Sequence, residues 1–263
     1  MRVPARLLAF LLGLALLAAA VPARAGQRPG FPFAPGERLT YAISWTVVPA
    51  GTAVLEVLPV ERRPDGPVLR FRGQARSNSF VDAFYKVRTT IESETDYDLT
   101  RALSFHSDQN EGGYHKDARV EFNWLLSRAV RSIQGEVRHE LFIWPPQAFD
   151  PLSMLFHFRT RPLITGMDFE GPVTDGKKFV RGMARIGGIE TVRTEAGEFR
   201  CFRVEPNVAE VGGVFRKSPG AKLIVWISAD ERRLPVKVRS EVAVGHFTLE
   251  LTRIENVGPG WNE

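Results

Sequence analysis

The sequence predicts a mainly β protein: a large antiparallel curved sheet or half-open barrel, with one or two short helices packed on or inside it. Three observations predict this class. Apolar and polar residues alternate with a period of two along most of the chain. Breaks rich in Gly, Pro and Asp divide these runs at short, regular spacing. Two segments depart from the alternation and carry helical spacing instead. Many short strands in such a rhythm read as an antiparallel barrel or strongly curved sheet.

The chain opens on a targeting pattern. Arg2 and Arg6 form a basic start, residues 7–20 are apolar, and Ala23-Arg24-Ala25 fits the small-x-small cleavage rule. Residues 1–25 are therefore expected to be a signal peptide cleaved after Ala25. The apolar run is too short to span a bilayer, and no later stretch reads as a transmembrane segment. No cysteine follows the cleavage point, so the protein is expected to be periplasmic and not a lipoprotein. Residues 26–36, rich in Pro and Gly, read as a flexible leader. Residues 37–256 read as a single β domain, and residues 257–263 as a C-terminal tail.

The first strand shows the pattern most clearly. Leu39, Tyr41, Ile43, Trp45 and Val47 alternate with Thr40, Ala42, Ser44 and Thr46. Pro49-Ala50-Gly51 reads as a turn, 52–60 as a second strand, Arg63-Pro64-Asp65-Gly66 as a turn, and 68–75 as a third strand. Residues 87–97, 102–109, 114–124, 129–133 and 137–144 continue the meander. The second half adds 167–173, 178–186, 190–194, 199–206, 222–228, 235–244 and 246–255. Gly187-Gly188 and Gly212-Gly213 read as turns.

Of the helical segments, 79–86 (SFVDAFYK) offers two turns with Phe80 and Phe84 on one side. The other is DPLSMLFHFR, residues 150–159. Asp150 suits an N-cap, Pro151 suits the first helical position, and Pro162 ends the run. Leu152, Leu155, Phe156 and Arg159 follow helical spacing, and Met154 and Phe158 widen the apolar surface. A helix apolar around most of its circumference is buried. In a β protein it must lie inside the curved sheet or plug an open end.

Charge excludes one class of partner. The chain has 35 basic and 30 acidic residues, and Arg2, Arg6 and Arg24 leave with the signal. The mature chain is close to neutral, with its charges interspersed, and has no nucleic-acid footprint. Cys201 is the only cysteine, so no internal disulfide forms, and it reads as a buried, inert thiol.

Catalytic signatures are not found. His106, His115, His139, His157 and His246 lack the spacing of a zinc motif. His106 and His115 with Asp108 would make at most a weak acid/base or metal site. There is no G-x-S-x-G elbow, no S-x-x-K and no phosphate loop. No catalytic residue, metal or cofactor is assigned. Glu92, Glu94, Asp96 and Asp98 read as the solvent face of one strand.

Several short patterns together resemble a known family. They are Gly36-Glu37-Arg38-Leu39-Thr40-Tyr41 with Trp45; Ala75-Arg76-Ser77 followed by Tyr85-Lys86-Val87; Asp150-Pro151-Leu152-Ser153 with Phe158-Arg159; Ala196-Gly197-Glu198-Phe199; and Val225-Trp226-Ile227-Ser228 with Arg232-Arg233-Leu234-Pro235. This order, from about residue 36 to 255, resembles the bacterial exported family known as domain of unknown function 3108. The resemblance implies no reaction. It implies a mainly antiparallel β fold similar to the half-barrels of LolA/LolB-type lipoprotein carriers, in which acyl chains sit between the sheet and its helices.

The function expected from this reading is non-enzymatic binding of an apolar or amphipathic envelope component, a lipid or acyl chain, in envelope transport or assembly. The candidate cavity wall is Tyr41, Trp45, Phe84, Tyr85, Leu155, Phe156 and Phe158. Helix 151–160 is then either a lid or a permanent plug. Two alternatives stand beside it: an envelope scaffold with a solid core that pairs with a protein, and a hydrolase or glycan-modifying enzyme.

Overall fold

Alternating residues lay down a long meander in the computed structural model, which describes residues 31–207, 222–242 and 245–256. The first half holds β1 (Arg38–Trp45), β2 (Val48–Val57), β3 (Glu61–Arg63), β4 (Gly66–Ser77), α1 (Ser79–Asp82), β5 (Val87–Asp96), β6 (Ala102–Glu111), β7 (Tyr114–Asn123), β8 (Arg128–Ile133) and β9 (Glu136–Phe142). The second holds α2 (Pro151–Arg159), β10 (Asp168–Thr174), β11 (Phe179–Thr194), β12 (Gly197–Pro206), β13 (Lys222–Ser228), β14 (Pro235–Val242) and β15 (Gly245–Glu255). The signal, residues 26–30 of the leader, the tail 257–263 and Gly212-Gly213 lie outside the described residues.

The strands form one 15-stranded sheet in the order β10-β11-β12-β13-β14-β15-β1-β2-β4-β5-β6-β7-β8-β9, with β3 paired to β4. Every ladder is antiparallel. β1 joins the halves: Leu39 faces Ile254 of β15 on one side and Leu55 of β2 on the other. The two edges, β9 and β10, are consecutive in sequence. Among the described residues no ladder joins them, so the sheet curls without closing.

The chain between these edges fills the seam. Ile143, Ala148, Phe149 and Asp150 are fully buried. Phe149 N–H donates to the carbonyl of Pro172, Thr174 N–H donates to the carbonyl of Phe149, both at 2.9 Å, and Ala102 N–H donates to the carbonyl of Ala148 at 2.8 Å. α2 follows directly. A curved sheet that cannot pair its own edges thus uses a buried segment and a helix as core.

Four differences from the sequence reading have physical causes. The first turn is at Thr46-Val47, where Thr46 is in the left-handed region at φ 56°. Pro49-Ala50-Gly51 lies within β2, and its glycine serves close approach: a Cβ at Gly51 would sit 2.1 Å from the carbonyl oxygen of Arg76 on β4. Gly187-Gly188 is a bulge inside β11, between Ile186 and Ile189, not a turn. Residues 31–36 are packed rather than loose, because Phe33 and Ala34 enter the core, with the Phe33 ring edge-on to Phe71 and Phe156. Segment 79–86 yields only the short α1, capped by Asn78, with Phe80 and Phe84 in edge contact on the surface.

Candidate functional site

α2 is where the two halves of the sheet meet. Asp150 caps it: the carboxylate accepts from Leu152 N–H at 2.8 Å and Ser153 N–H at 3.0 Å, and Ser153 Oγ accepts from Asp150 N–H at 3.1 Å. Ser93 Oγ on β5 and Ser153 Oγ also donate to the same carboxylate. Burial pushes its pKa up, and the hydrogen bonds from Ser153, Ser93 and the backbone oppose this.

Arg159 anchors the other end. Its guanidinium donates to both oxygens of Glu37 at 2.7 and 3.1 Å and to the carbonyls of Pro32 and Arg232 at 3.3 and 3.1 Å. It lies 5.1 Å from the Phe33 ring centroid and 5.3 Å from that of Phe156. His157 stacks on Phe149 and its Nδ1 lies 3.3 Å from the Leu99 carbonyl; burial holds its pKa down, so the ring is neutral at neutral pH.

The two sides of α2 differ. Leu152 and Phe156 pack into the cluster of Phe33, Leu69, Phe71 and Phe149, with the rings of Phe156 and Phe71 stacked 3.9 Å apart. The opposite side, Met154, Leu155 and Phe158, borders a cavity of about 390 Å³. Phe169 and Val173 of β10, Met183 of β11, Val204 of β12, Val225 of β13 and Val238 of β14 complete its wall. Arg181 is the one charged residue on this wall among the described residues, and its side chain reaches solvent and pairs with Glu170 at 3.0 Å. Gly182 of β11 lies on the wall and faces Gly171 of β10. A Cβ at Gly171 would lie 2.7 Å from Met154 Cε, so this glycine lets α2 approach β10 closely.

The structure does not bring the expected wall residues together. Leu155 and Phe158 line the cavity. Phe156 faces away from it, onto Phe71. Tyr41 is buried in a separate cluster with Leu39, Cys201 and Leu251, and its hydroxyl donates to the Pro235 carbonyl at 2.8 Å, while burial raises its pKa. Trp45, Phe84 and Tyr85 are exposed at one end of the sheet, with 46%, 79% and 50% of their surface open. Trp45 closes β1 next to the turn, past the packed core, and Phe84 and Tyr85 follow a helix too short to bury them. The wall from β10 to β14 went unread, although the glycines of Gly171 and Gly182 among strand residues were its signal.

Elsewhere among the described residues, two histidines pair with neighbouring polar side chains. His106 Nε2 lies 3.1 Å from Asp117, and His115 Nδ1 lies 2.6 Å from Asn110. Among the described residues no group of three or more His, Cys, Asp or Glu side chains is placed to hold a metal. Glu92 pairs with Arg72 and Glu94 with Arg63. Cys201 is buried, and burial pushes its thiol up to about 12. No helix among the described residues is long and apolar enough to cross a membrane.

Comparison with solved structures gives relatives in fold. A β-barrel-like protein of the domain of unknown function DUF1849 from Brucella abortus superposes with a TM-score of 0.54 at 8% identity, covering 84% of this chain and 97% of that one. An assigned exported protein with a YmcC-like fold from Bacteroides fragilis gives 0.33 at 11% identity, covering 86% and 98%. An assigned lipoprotein from Parabacteroides distasonis gives 0.36 at 12%, covering 87% and 100%. The first shares the fold; the other two align too loosely to bear on it. No curated protein matches in sequence. The model of one family, however, spans residues 40–252, from within β1 to within β15: the chain belongs to the family described as protein of unknown function DUF3108.

Proposed function

We propose that the protein binds an apolar chain, carried by a lipid or lipoprotein of the cell envelope, in the cavity between α2 and β10–β14. One observation carries this reading: an apolar cavity remains beside a helix whose opposite side is tightly packed. Its volume of about 390 Å³ falls in the range of small-molecule sites, about 300–1,000 Å³. Among the described residues its wall is hydrocarbon apart from Arg181 and Asn207. Burying an acyl chain there gains about 25 cal/mol for each Å² of apolar surface removed from water. The helix acts as a fixed wall, not a lid, because Asp150 ties its start to Ser93 of β5 and Arg159 ties its end to Glu37, Pro32 and Arg232. The basic start and apolar run of residues 1–25 support export to the periplasm.

The test is native mass spectrometry of the protein purified after export, followed by organic extraction. A lipid-sized adduct is expected on the wild type and is lost in Leu155→Trp, which fills the cavity while the circular dichroism stays unchanged. A wild type that carries no adduct and takes up none from excess fatty acid overturns the reading.

A second reading, an envelope protein that docks a partner protein, is favoured by the exposed Trp45, Val47, Phe80, Phe84 and Tyr85 at one end of the sheet. It requires that Phe84→Ser weaken association while leaving any adduct in place.

A further inference from the structure

The apolar cavity does not stand alone. At Pro151, Val173 and Val180 it adjoins a second cavity of about 390 Å³ on the first half of the sheet. The floor of the second is apolar: Ile91 of β5, Phe105 of β6, and Ala118 and Val120 of β7. Its wall is not. Lys116, Arg131, Lys177 and Lys178 all border it, and Asp175 is the one carboxylate among its described lining residues.

Arg131 is the unusual member. It is a β8 residue with 5% of its surface exposed. Its Nη1 donates to the Asp175 carbonyl and lies 3.6 Å from the Asp175 carboxylate, while its buried Nε–H has no partner among the described residues. A buried donor without an acceptor is costly, and an anion's oxygen placed there would relieve that cost. Lys116 gives a second sign. Its pKa is held below the ordinary value by burial and by the charges of Arg131 and Lys177, so the single carboxylate does not neutralise the cluster.

The backbone builds this cluster deliberately. The turn between β10 and β11 folds onto β7 and β8. Gly176, at φ +79°, has no room for a side chain, since a Cβ would lie 2.7 Å from Val120 and 2.9 Å from Arg131 Cβ. Thr174 Oγ accepts from Gly176 N–H at 3.0 Å and donates to the Lys178 carbonyl at 2.7 Å. The turn so fixed presents Lys177 and Lys178 beside Lys116 and Arg131.

We propose that this cluster is a head-group subsite, and that the ligand is an amphiphile whose anionic head, a carboxylate, phosphate or sulfate, sits among Lys116, Arg131, Lys177 and Lys178 while its chain lies along α2. This rests on the reading of the apolar cavity as a chain site. It adds a sign to the ligand's charge: a cavity with four cations and one carboxylate on its wall selects anions over neutral or cationic heads.

The test compares myristate, its uncharged methyl ester and inorganic phosphate as displacers of the neutral dye Nile red. Myristate is expected to bind about tenfold or more tightly than the ester, as charge-assisted hydrogen bonds of this kind provide. In Lys116→Gln/Lys177→Gln, at positions half-buried and exposed, that preference is expected to vanish while the ester's affinity is kept. Phosphate alone is expected to displace nothing. Equal affinities in the wild type, or a preference that survives in the double variant, overturn the head-group subsite and leave the chain site standing. Displacement by phosphate as strong as by myristate makes the cluster a free-anion site and also overturns it. If neither myristate nor the ester displaces the dye, both readings fall together.

Discussion

Arg159 is almost fully buried, at 1% exposure, and Glu37 opposite it is at 2%. An isolated charge in such surroundings is strongly unfavourable, and a paired one is close to break-even against hydrocarbon of the same volume. Glu37→Ala is therefore expected to destabilise the protein by about 3–5 kcal/mol, because it strands the guanidinium. Glu37→Leu/Arg159→Met is expected to recover most of that loss, since Phe33 and Phe156 already flank the site. Urea denaturation of the wild type and the two variants checks this; a double variant no more stable than Glu37→Ala would contradict it. The pair also shows where residue-level reading stops. Glu37 and Arg159 stand 122 positions apart, and nothing local in either marks it as half of a buried pair. Asp150, by contrast, was legible, because capping is a local contact with Leu152 and Ser153.

Elements were read well where a local period set them, and poorly where a neighbouring strand did. The alternation of Leu39, Tyr41 and Ile43 gave β1, and Asp150-Pro151 gave the start of α2. Gly51 could not be read the same way. In sequence it completes a turn tripeptide; in the sheet it lets β2 approach β4, with the Arg76 carbonyl where a Cβ would be. Gly51→Ala must therefore push two paired strands apart, at an expected cost of about 2–3 kcal/mol, the range of overpacked interiors. Gly113→Ala, which meets nothing within 4 Å, is the control and should leave the melting temperature nearly unchanged. Equal effects at the two positions would contradict this account of Gly51. The same cause explains the candidate site. Helical spacing found Leu155 and Phe158, but which side of α2 faces a cavity and which faces Phe71 depends on strands from β4 on one side to β14 on the other. Aromatic character alone misplaced Trp45, Phe84 and Tyr85, since the ends of a sheet expose large side chains as readily as its middle buries them.

For the whole molecule the organising fact is that the two sheet edges, β9 and β10, are neighbours in the chain and do not pair. The seam between them is filled by 143–150 and α2, and both cavities lie against that filling. The fold class was legible because it follows from strand rhythm. The seam was not, since it depends on how far a 15-stranded sheet curls. The central claim, that an apolar chain occupies the α2 cavity, can be tested directly through the methionine methyl groups. Of the four methionines, Met154 and Met183 line the cavity, whereas Met167 is half-exposed and outside it. The measurement is the NMR spectrum of the ¹³C-methyl-methionine protein with stearate carrying a nitroxide near its chain end. The account predicts strong broadening of Met154 and Met183 with Met167 little changed, and loss of the effect in Leu155→Trp. Broadening confined to Met167, or none at saturating stearate, would contradict it.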